Sequence, residues 1–174
     1  REMDGCRILK VIESDILRDG SLDYDDALLA RFDLVIVSIH SKLGMTEDEA
    51  TTRLVKAIEH PRTHIVGHPT GRLLLAREGY PLNMDKVFDA CVANGVAVEI
   101  NGNANRLDCD WRHIRRGRDK GVLFAIAPDA HGVETLDNAY FGLGIARKGW
   151  LEPQHLLNCM TAEELLAWRD SKPH

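Results

Sequence analysis

The feature that most constrains the fold is an alternation of apolar runs with segments of helical pattern. A mixed run at residues 7–17 is followed by shorter apolar runs at 34–39, 65–67, 96–98 and 122–127. Runs that are apolar almost throughout are typical of strands covered on both faces, as in a parallel sheet. The order strand, helix is repeated about five times, which predicts an α/β fold with parallel strands.

Local signals set the bounds of the intervening helices. Helices are predicted over residues 24–30, 46–59, 83–93, 110–120, 135–148 and 161–171, with a short helical turn within 150–158. Thr46 and Thr161 each stand three residues before a glutamate, a capping box that begins a helix. Gly95 and Gly121 are typical residues for ending one. We predict a single domain over residues 1–174.

The composition argues against several classes of protein. The chain has 174 residues, of which 44% are hydrophobic and 28% charged, and its net charge is −5. Proteins that bind nucleic acid over a whole surface are usually basic, so such a contact would have to be local. No signal peptide opens the chain, and no apolar run approaches the roughly 20 residues that span a bilayer. Four cysteines without CxxC pairing predict free thiols and a cytoplasmic protein.

Ionisable side chains mark the ends of the predicted strands. In chain order they are Glu13, His40, His68, Glu99, Asp129 and His131. The carboxyl ends of parallel strands meet on one face, where α/β enzymes build their sites. Histidine and carboxylate are ligands of zinc, manganese and iron. One histidine after a strand is more often a hydrogen-bonded loop residue, but several on one rim favour a metal or acid–base site.

The remaining histidines and the arginines are weaker candidates. Five histidines are predicted to lie on the surface: His60, His64, His113, His155 and His174. The basic residues of helix 110–120 are predicted to form a solvated face. Arg72, Arg77 and Arg106 lie in loops that leave the rim, and arginine binds phosphate through two hydrogen bonds. Both a phosphate clamp and a surface ion pair, such as Arg77 with Glu78, fit these positions.

Several motifs together resemble a known family. They are I-E-S-D-I-L-x-D-G-S-L-D at 12–23, S-I-H-S at 38–41, G-H-P-T-G-R-L-L at 67–74, E-I-N at 99–101, N-R-L-D at 105–108, D-A-H at 129–131 and A-R-K-G-W-L at 146–151. The chain resembles the PHP (polymerase and histidinol phosphatase) superfamily, in particular the C-terminal PHP domain of bacterial family X DNA polymerases.

The resemblance implies a distorted (β/α)7 barrel, a TIM-like fold, that holds up to three divalent cations, zinc or manganese, and cleaves phosphate esters. In the polymerases this gives 3′–5′ exonuclease and 3′-end processing activity in DNA repair. By position, Glu13 would bridge two metals. His40 and His68 would complete the first position, Asp129 the second, and His131 would serve a third.

The resemblance also implies roles beyond metal binding. Glu13 and Asp129 would be catalytic, and Arg72, Arg106 and Asn101 would contact the substrate. The partners would be DNA 3′ ends and a polymerase domain on the N-terminal side of the parent protein.

The chain departs from the family at its beginning. Family members place a His-x-His strand, a further histidine and an Asp-His before the glutamate, whereas only twelve residues precede Glu13, and the first of them is Arg1 rather than a methionine. We therefore expect a piece of a longer protein, an incomplete barrel that lacks its first βα units, partial metal occupancy and impaired catalysis. Exposed barrel edges would permit self-association.

Two alternatives stay open. A small-molecule phosphatase of the histidinol-phosphatase type would share the superfamily, although the G-R-L-L and R-K-G-W motifs argue for the polymerase subfamily. A non-catalytic module that supports a polymerase would also fit an incomplete site. No membrane partner is expected.

Overall fold

The fold is built on a parallel sheet. The computed structural model describes Glu2, Met3 and residues 6–173, with the backbone alone at positions 2, 3 and 6. Two short antiparallel strands, β1 (Glu2–Met3) and β2 (Cys6–Arg7), come first. Five parallel strands then pair in chain order: β3 (Val11–Asp15), β4 (Leu34–Ser38), β5 (Ile65–Val66), β6 (Ala97–Asn101) and β7 (Phe124–Ala127). The predicted α/β fold with parallel strands is confirmed.

Helices connect the strands or follow them. In the described residues the α-helices are α1 (Asp26–Leu29), α2 (Glu47–Ile58), α3 (Met84–Ala93), α4 (Trp111–Lys120), α5 (Ala139–Lys148) and α6 (Ala162–Asp170). The predicted capping boxes at Thr46 and Thr161 are both present. Gly121 ends α4 with a φ of 91°, a left-handed conformation that glycine adopts without strain. None of these helices has both the length and the apolar character needed to cross a bilayer.

The two faces of the sheet have different partners. Successive strand side chains point to opposite faces. On one face, Val35 and Phe124 belong to the main core, which includes buried residues of α2 to α5. On the other, Ile65 lies in a smaller cluster covered by Leu157 and by Trp168 of α6. This cluster occupies the half of the face near the strand beginnings, and polar side chains occupy the half near the strand ends. The arrangement is compatible with a TIM-like fold.

Two glycines allow α5 to lie very close to the sheet. A Cβ at Gly102, just after β6, would overlap the Asn138 carbonyl oxygen, and one at Gly142 would lie 2.7 Å from a methyl carbon of Ile126. Glycine inside a helix is usually unfavourable, but this contact requires Gly142 within α5.

The outer edges of the sheet are partly blocked. The Asn158 side chain accepts a hydrogen bond from the Ile126 amide (2.7 Å) and donates one to the Ile126 carbonyl (2.9 Å), so it replaces a neighbouring strand on β7. On β3, Asp23 accepts a hydrogen bond from the Asp15 amide (2.9 Å), and its own amide donates to the Asp15 carbonyl (3.0 Å). Leu156 adds a parallel bridge to Phe124.

Three local predictions need correction. The run 7–17 is not one strand, because β2 and β3 are separated at residues 8–10. The predicted helix 135–148 is a 3-10 turn (Val133–Asn138) followed by α5, because the close approach at Gly102 fixes the chain at Asn138. His64 is not on the surface: it is 7% exposed, and its Nδ1 accepts a hydrogen bond from the Val35 amide at 3.0 Å.

The other surface histidines and the cysteines follow the predictions more closely. His60, His113 and His155 are half-buried, and His174 lies outside the described residues. Cys91, Cys109 and Cys159 are free thiols, and the side chain of Cys6 lies outside the described part of the chain.

Candidate metal site

Polar residues from four neighbouring strands and the loops that follow them lie together at one rim of the sheet. Glu13 is the central residue of β3, and His40 stands two residues beyond β4. His68 follows β5 after Gly67, and Glu99 lies within β6. The rim is the carboxyl edge of a parallel sheet, where α/β folds gather their functional side chains.

Glu13, His40 and His68 form a triad around one carboxylate oxygen. Glu13 Oε1 lies 3.3 Å from His68 Nε2 and 3.6 Å from His40 Nε2. One ligand atom from each residue lies within 4.8 Å of the other two. The two imidazole rings meet edge to face with centroids 5.0 Å apart. Two imidazoles and a carboxylate are a donor set that suits zinc and neighbouring divalent ions.

Ser38 and Gly67 position the glutamate of this triad. The Ser38 hydroxyl donates a hydrogen bond to Glu13 Oε1 at 2.6 Å. A Cβ at position 67 would overlap the Ser38 hydroxyl and lie 3.4 Å from Glu13 Oε1. Only glycine therefore leaves room for the serine and glutamate side chains to meet.

Asp15 orients His40. Asp15 Oδ1 lies 2.5 Å from His40 Nδ1. An ionised carboxylate only accepts hydrogen bonds, so Nδ1 of His40 carries a hydrogen, and Nε2 faces Glu13. Carboxylates commonly hold metal-binding histidines in this way. Asp15 was not among the predicted site residues, although its position two residues after Glu13 places both side chains on one face of β3.

Glu99 holds the backbone of His68 in place. The buried Glu99 carboxylate accepts a hydrogen bond from the His68 amide at 2.5 Å. His68 has a φ of 21°, an unusual value for a residue with a side chain. Its buried Nδ1 has no hydrogen-bond partner in the described residues. Strained backbone and an orphaned buried nitrogen are both features of sites that bind a ligand.

The charges of the rim depend on one another. A hydrogen bond from His68 is the largest effect that lowers the pKa of Glu13 to about 2; burial opposes it and the bond from Ser38 adds to it. Burial would lower the pKa of His68, but the hydrogen bond to Glu13 and the charge of Glu99 raise it. Burial raises the pKa of Glu99 to about 7. Glu13 is therefore a firm anion at neutral pH.

Asp129 and His131 line the same small pocket but not the triad. A pocket of about 270 Å³ has Glu13, His68, Asp129 and His131 in its walls. Asp129 has a φ of 52°, and its carboxylate pairs with Arg106 Nε at 3.2 Å. The ring of His131 is exposed, with Nδ1 3.7 Å from Asp129 Oδ1.

The predicted substrate residues lie in different surroundings. Arg106 lies beside the pocket, because it forms an ion pair with Asp129, which lines the pocket wall. Asn101 is fully buried, and its amide donates to Glu99 Oε2 at 3.3 Å. Arg72 donates to the carbonyls of Arg106 and Leu107, and it pairs with Asp110 at 3.3 Å. Arg72 thus ties two loops together.

Arg77 also has a loop contact. It donates to the Gly71 carbonyl from Nε (3.1 Å) and Nη2 (2.8 Å), and no ion pair joins it to Glu78 within the described residues.

The triad fits a divalent metal on two observations. One ligand atom from each residue converges on the other two, and two imidazoles with a carboxylate are donors that such ions take. Glu13, His40 and His68 can therefore hold one ion.

Comparison with known proteins places this site in a family. No protein-family model matches the chain. It is 40% identical over 167 residues to the DNA polymerase/3′-5′ exonuclease PolX of Bacillus subtilis, an alignment that covers 96% of this chain and 29% of that protein. A protein named "Probable phosphatase" from Syntrophotalea carbinolica is 36% identical over 154 residues, covering 78% of this chain and 62% of that one.

A more distant relative extends over the whole chain. The "Probable phosphatase YcdX" of Escherichia coli is 27% identical over 187 residues, covering 99% of this chain and 71% of that protein. The chain thus spans less than a third of the polymerase and a larger share of the phosphatases. Together with the metal-ligand triad at the sheet rim, these relatives identify the chain as a member of the PHP superfamily.

Proposed function

We propose that this chain is the PHP domain of a family X DNA polymerase-like protein and that it hydrolyses phosphate esters at DNA 3′ ends with a divalent metal. The observation that carries the proposal is the convergence of Glu13, His40 and His68 on one point. The similarity to a polymerase named as a 3′-5′ exonuclease supports DNA as the substrate.

The metal ligands follow from the rim. Glu13, His40 and His68 would hold one zinc or manganese ion. Asp129 would share a second with Glu13, and His131 would contact a third. The second and third positions have few ligands in this chain, so we propose that it binds fewer than three ions and that its catalysis is impaired.

Different residues of the chain would bind the metal, bind the phosphate and accept a proton. A bound divalent cation supplies an activated water and neutralises phosphate charge. Glu13 remains an anion at neutral pH, as its pKa of about 2 requires, and so stays competent to bind a cation. Arg106, beside the pocket, would bind a phosphate oxygen in competition with Asp129. Asp129 would accept the proton from the attacking water.

The remaining strands of the barrel would come from elsewhere in a longer protein. We propose an incomplete (β/α)7 barrel over residues 1–174, with β3 and β7 at its open sides. Val11, on β3, leaves 45% of its surface exposed. In this chain alone, the same sides would support self-association.

Hydrolysis assays test the activity. With manganese, the chain should release nucleotides from a 3′-recessed DNA, and a longer version that includes the preceding part of the parent should do so faster. Glu13→Gln should remove the activity of both, whereas Arg116→Ala, a surface change, should not. Activity retained in Glu13→Gln would contradict the assigned role of the carboxylate.

Elemental analysis tests the metal count. After loading with zinc or manganese and removal of free ions, the chain should retain fewer than three equivalents. Three tightly held equivalents would contradict the proposal of an incomplete site.

A second candidate is a small-molecule phosphatase. The relatives named as probable phosphatases favour it, because this chain covers 62% and 71% of their lengths. Comparing histidinol phosphate with 3′-recessed DNA separates the two activities. A metal-loaded, folded protein inactive on both substrates, in the long as in the short version, would instead support a non-catalytic module.

A further inference from the structure

A second concave surface lies at the opposite edge of the sheet. A pocket of about 710 Å³ opens where β4 and β5 begin, beside the end of α6. We call it the amino-edge pocket. Its basic side chains are Lys10, Arg31, Arg62, Arg169 and Lys172. The lining acids are Asp33 and Asp170, so five positive charges face two negative ones in a chain whose net charge is −5.

Most of this positive charge is not neutralised. Arg169 pairs with both acids, at 3.8 Å from Asp33 and 2.7 Å from Asp170. Among the described residues, no carboxylate lies within 4.0 Å of the basic groups of Lys10, Arg31 or Arg62.

Helix α4 shows the opposite pattern, although its sequence is rich in arginine and lysine. Its cations have acidic neighbours: Arg112 with Asp110, Arg116 with Asp85, Arg118 with Asp119 and Lys120 with Asp89. Arg115 stacks on Trp150 at 4.0 Å. The amino-edge pocket therefore differs from α4 in that several of its cations have no carboxylate partner among the described residues.

Two of the residues that line the pocket are mostly buried. His64 is 7% exposed; its Nδ1 accepts the Val35 amide, so Nε2 carries a hydrogen and lacks a hydrogen-bond partner in the described residues. Lys172 is 8% exposed, and its ammonium donates to the Thr63 carbonyl without a carboxylate partner. Burial lowers the pKa of Lys172 to about 8. A buried ammonium without a counter-charge is costly, which a bound anion would offset.

We propose that the amino-edge pocket binds a phosphate group, carried by a free nucleotide or by the end of a nucleic-acid strand. The surplus of three positive charges favours binding of a dianion, and the unpaired guanidinium groups of Arg31 and Arg62 suit phosphate oxygens. Phe32, half-buried in the same wall, presents a ring on which a base can stack. The site is separate from the metal triad, which lies at the carboxyl edge of the same sheet.

Titration of the chain with divalent metals removed by a chelator tests the proposal. The probes are inorganic phosphate, deoxyadenosine 5′-monophosphate, and one short single-stranded oligonucleotide with and without a 5′ phosphate, followed by calorimetry and amide chemical shifts. We expect saturable binding, with shifts at Arg31, Arg62 and His64. Tighter binding of the mononucleotide identifies a free nucleotide as the source, and tighter binding of the phosphorylated strand identifies a strand end.

Variants separate a ligand site from a merely charged surface. Arg31→Ala with Arg62→Ala should weaken binding by roughly tenfold or more, because two charge-assisted hydrogen bonds are lost. Arg116→Ala on α4 is the matched control and should bind as the parent does. Lys172→Met should fold at least as stably without phosphate, because it removes a buried charge, and should lose the rise in melting temperature that phosphate gives.

Two results would overturn the proposal. One is no saturable binding of any probe below roughly 10 mM. The other is equal affinity in the parent and in the double arginine variant. Neither result bears on the phosphoesterase proposal, because the experiment excludes divalent metals and uses the other edge of the sheet.

Discussion

At the scale of single residues, the site depends on having no side chain at position 67. Gly67 lets Ser38 and Glu13 meet, because any Cβ there would overlap the Ser38 hydroxyl. Gly67→Ala should therefore displace the glutamate and weaken zinc binding by about tenfold or more, with a stability loss of about 1–3 kcal/mol from overpacking. Calorimetric titration with zinc measures the first effect and thermal unfolding the second.

The control for this change is another glycine. A Cβ at Gly44 would meet no atom within 4 Å, so Gly44→Ala should bind zinc as the parent does. Equal zinc affinity in Gly67→Ala and Gly44→Ala would show that Glu13 does not need this space.

Asp15 gives a second prediction at this scale. Asp15→Ala should leave His40 as a mixture of tautomers and weaken zinc binding by about 10- to 100-fold, since the carboxylate fixes the hydrogen on Nδ1. Nitrogen-15 NMR of the imidazole rings reports the tautomer even without metal.

Asp26→Asn is the matched control, because Asp26 contacts a histidine elsewhere, His60, at 3.2 Å. If His40 keeps a single Nδ1–H tautomer in Asp15→Ala, Asp15 does not orient it.

Sequence pattern located much of the rim but little of what supports it. His40 and His68 follow strand ends and Glu13 lies within a strand, positions that the pattern of apolar residues indicates. Most of the residues that position them cannot be found in that pattern. The hydrogen bond from the His68 amide to Glu99 joins residues 31 positions apart, and the sequence allows Arg72 to be either a phosphate ligand or a tie between loops.

At the scale of elements, β7 is closed by a side chain. Asn158→Ala removes two hydrogen bonds to Ile126, so we expect a stability loss of about 1–2 kcal/mol and faster hydrogen exchange at the Ile126 amide. Exchange measured by NMR, residue by residue, tests this.

Asn158→Asp keeps the acceptor and loses the donor, so its exchange rate should fall between those of the parent and Asn158→Ala. Unchanged exchange at Ile126 in Asn158→Ala would mean that the edge is protected by other contacts.

Element bounds were predictable where a local signal sets them. The capping boxes at Thr46 and Thr161 and the glycine after α4 act within one turn of helix, so the sequence contains the whole cause. The start of α5 was not predictable, because it depends on the distance between Gly102 and Asn138, which only the folded chain determines.

At the scale of the whole molecule, His64 couples stability to pH. Burial lowers its pKa from 6.5 to about 4, with Lys172 adding to the effect. The unfolded chain therefore takes up the proton first. The contribution of His64 to stability is complete above about pH 6.5, falls as the pH drops, and is lost near pH 4, up to about 3 kcal/mol.

His64→Asn should flatten this part of the stability curve, since an amide oxygen can still accept from Val35. Urea unfolding at several pH values between 4 and 7 measures the difference. His155→Asn is the control, because His155 Nδ1 also accepts an amide hydrogen, from Glu152 at 2.9 Å, and it is only half-buried. A parent and His64→Asn with parallel curves would contradict the assignment.

Any further strand that pairs with β7 at Ile126 has to displace the Asn158 side chain. Two hydrogen bonds to Asn158 must open before two new ones form, so the net gain there is small and entry carries an activation barrier. On the outer edge of β3, Asp23 bonds to Asp15, the last residue of the strand. Val11 and Glu13 lie earlier in the strand and are not covered by Asp23. Among the described strands, β3 therefore has a more open outer edge than β7 for any strand that joins this sheet.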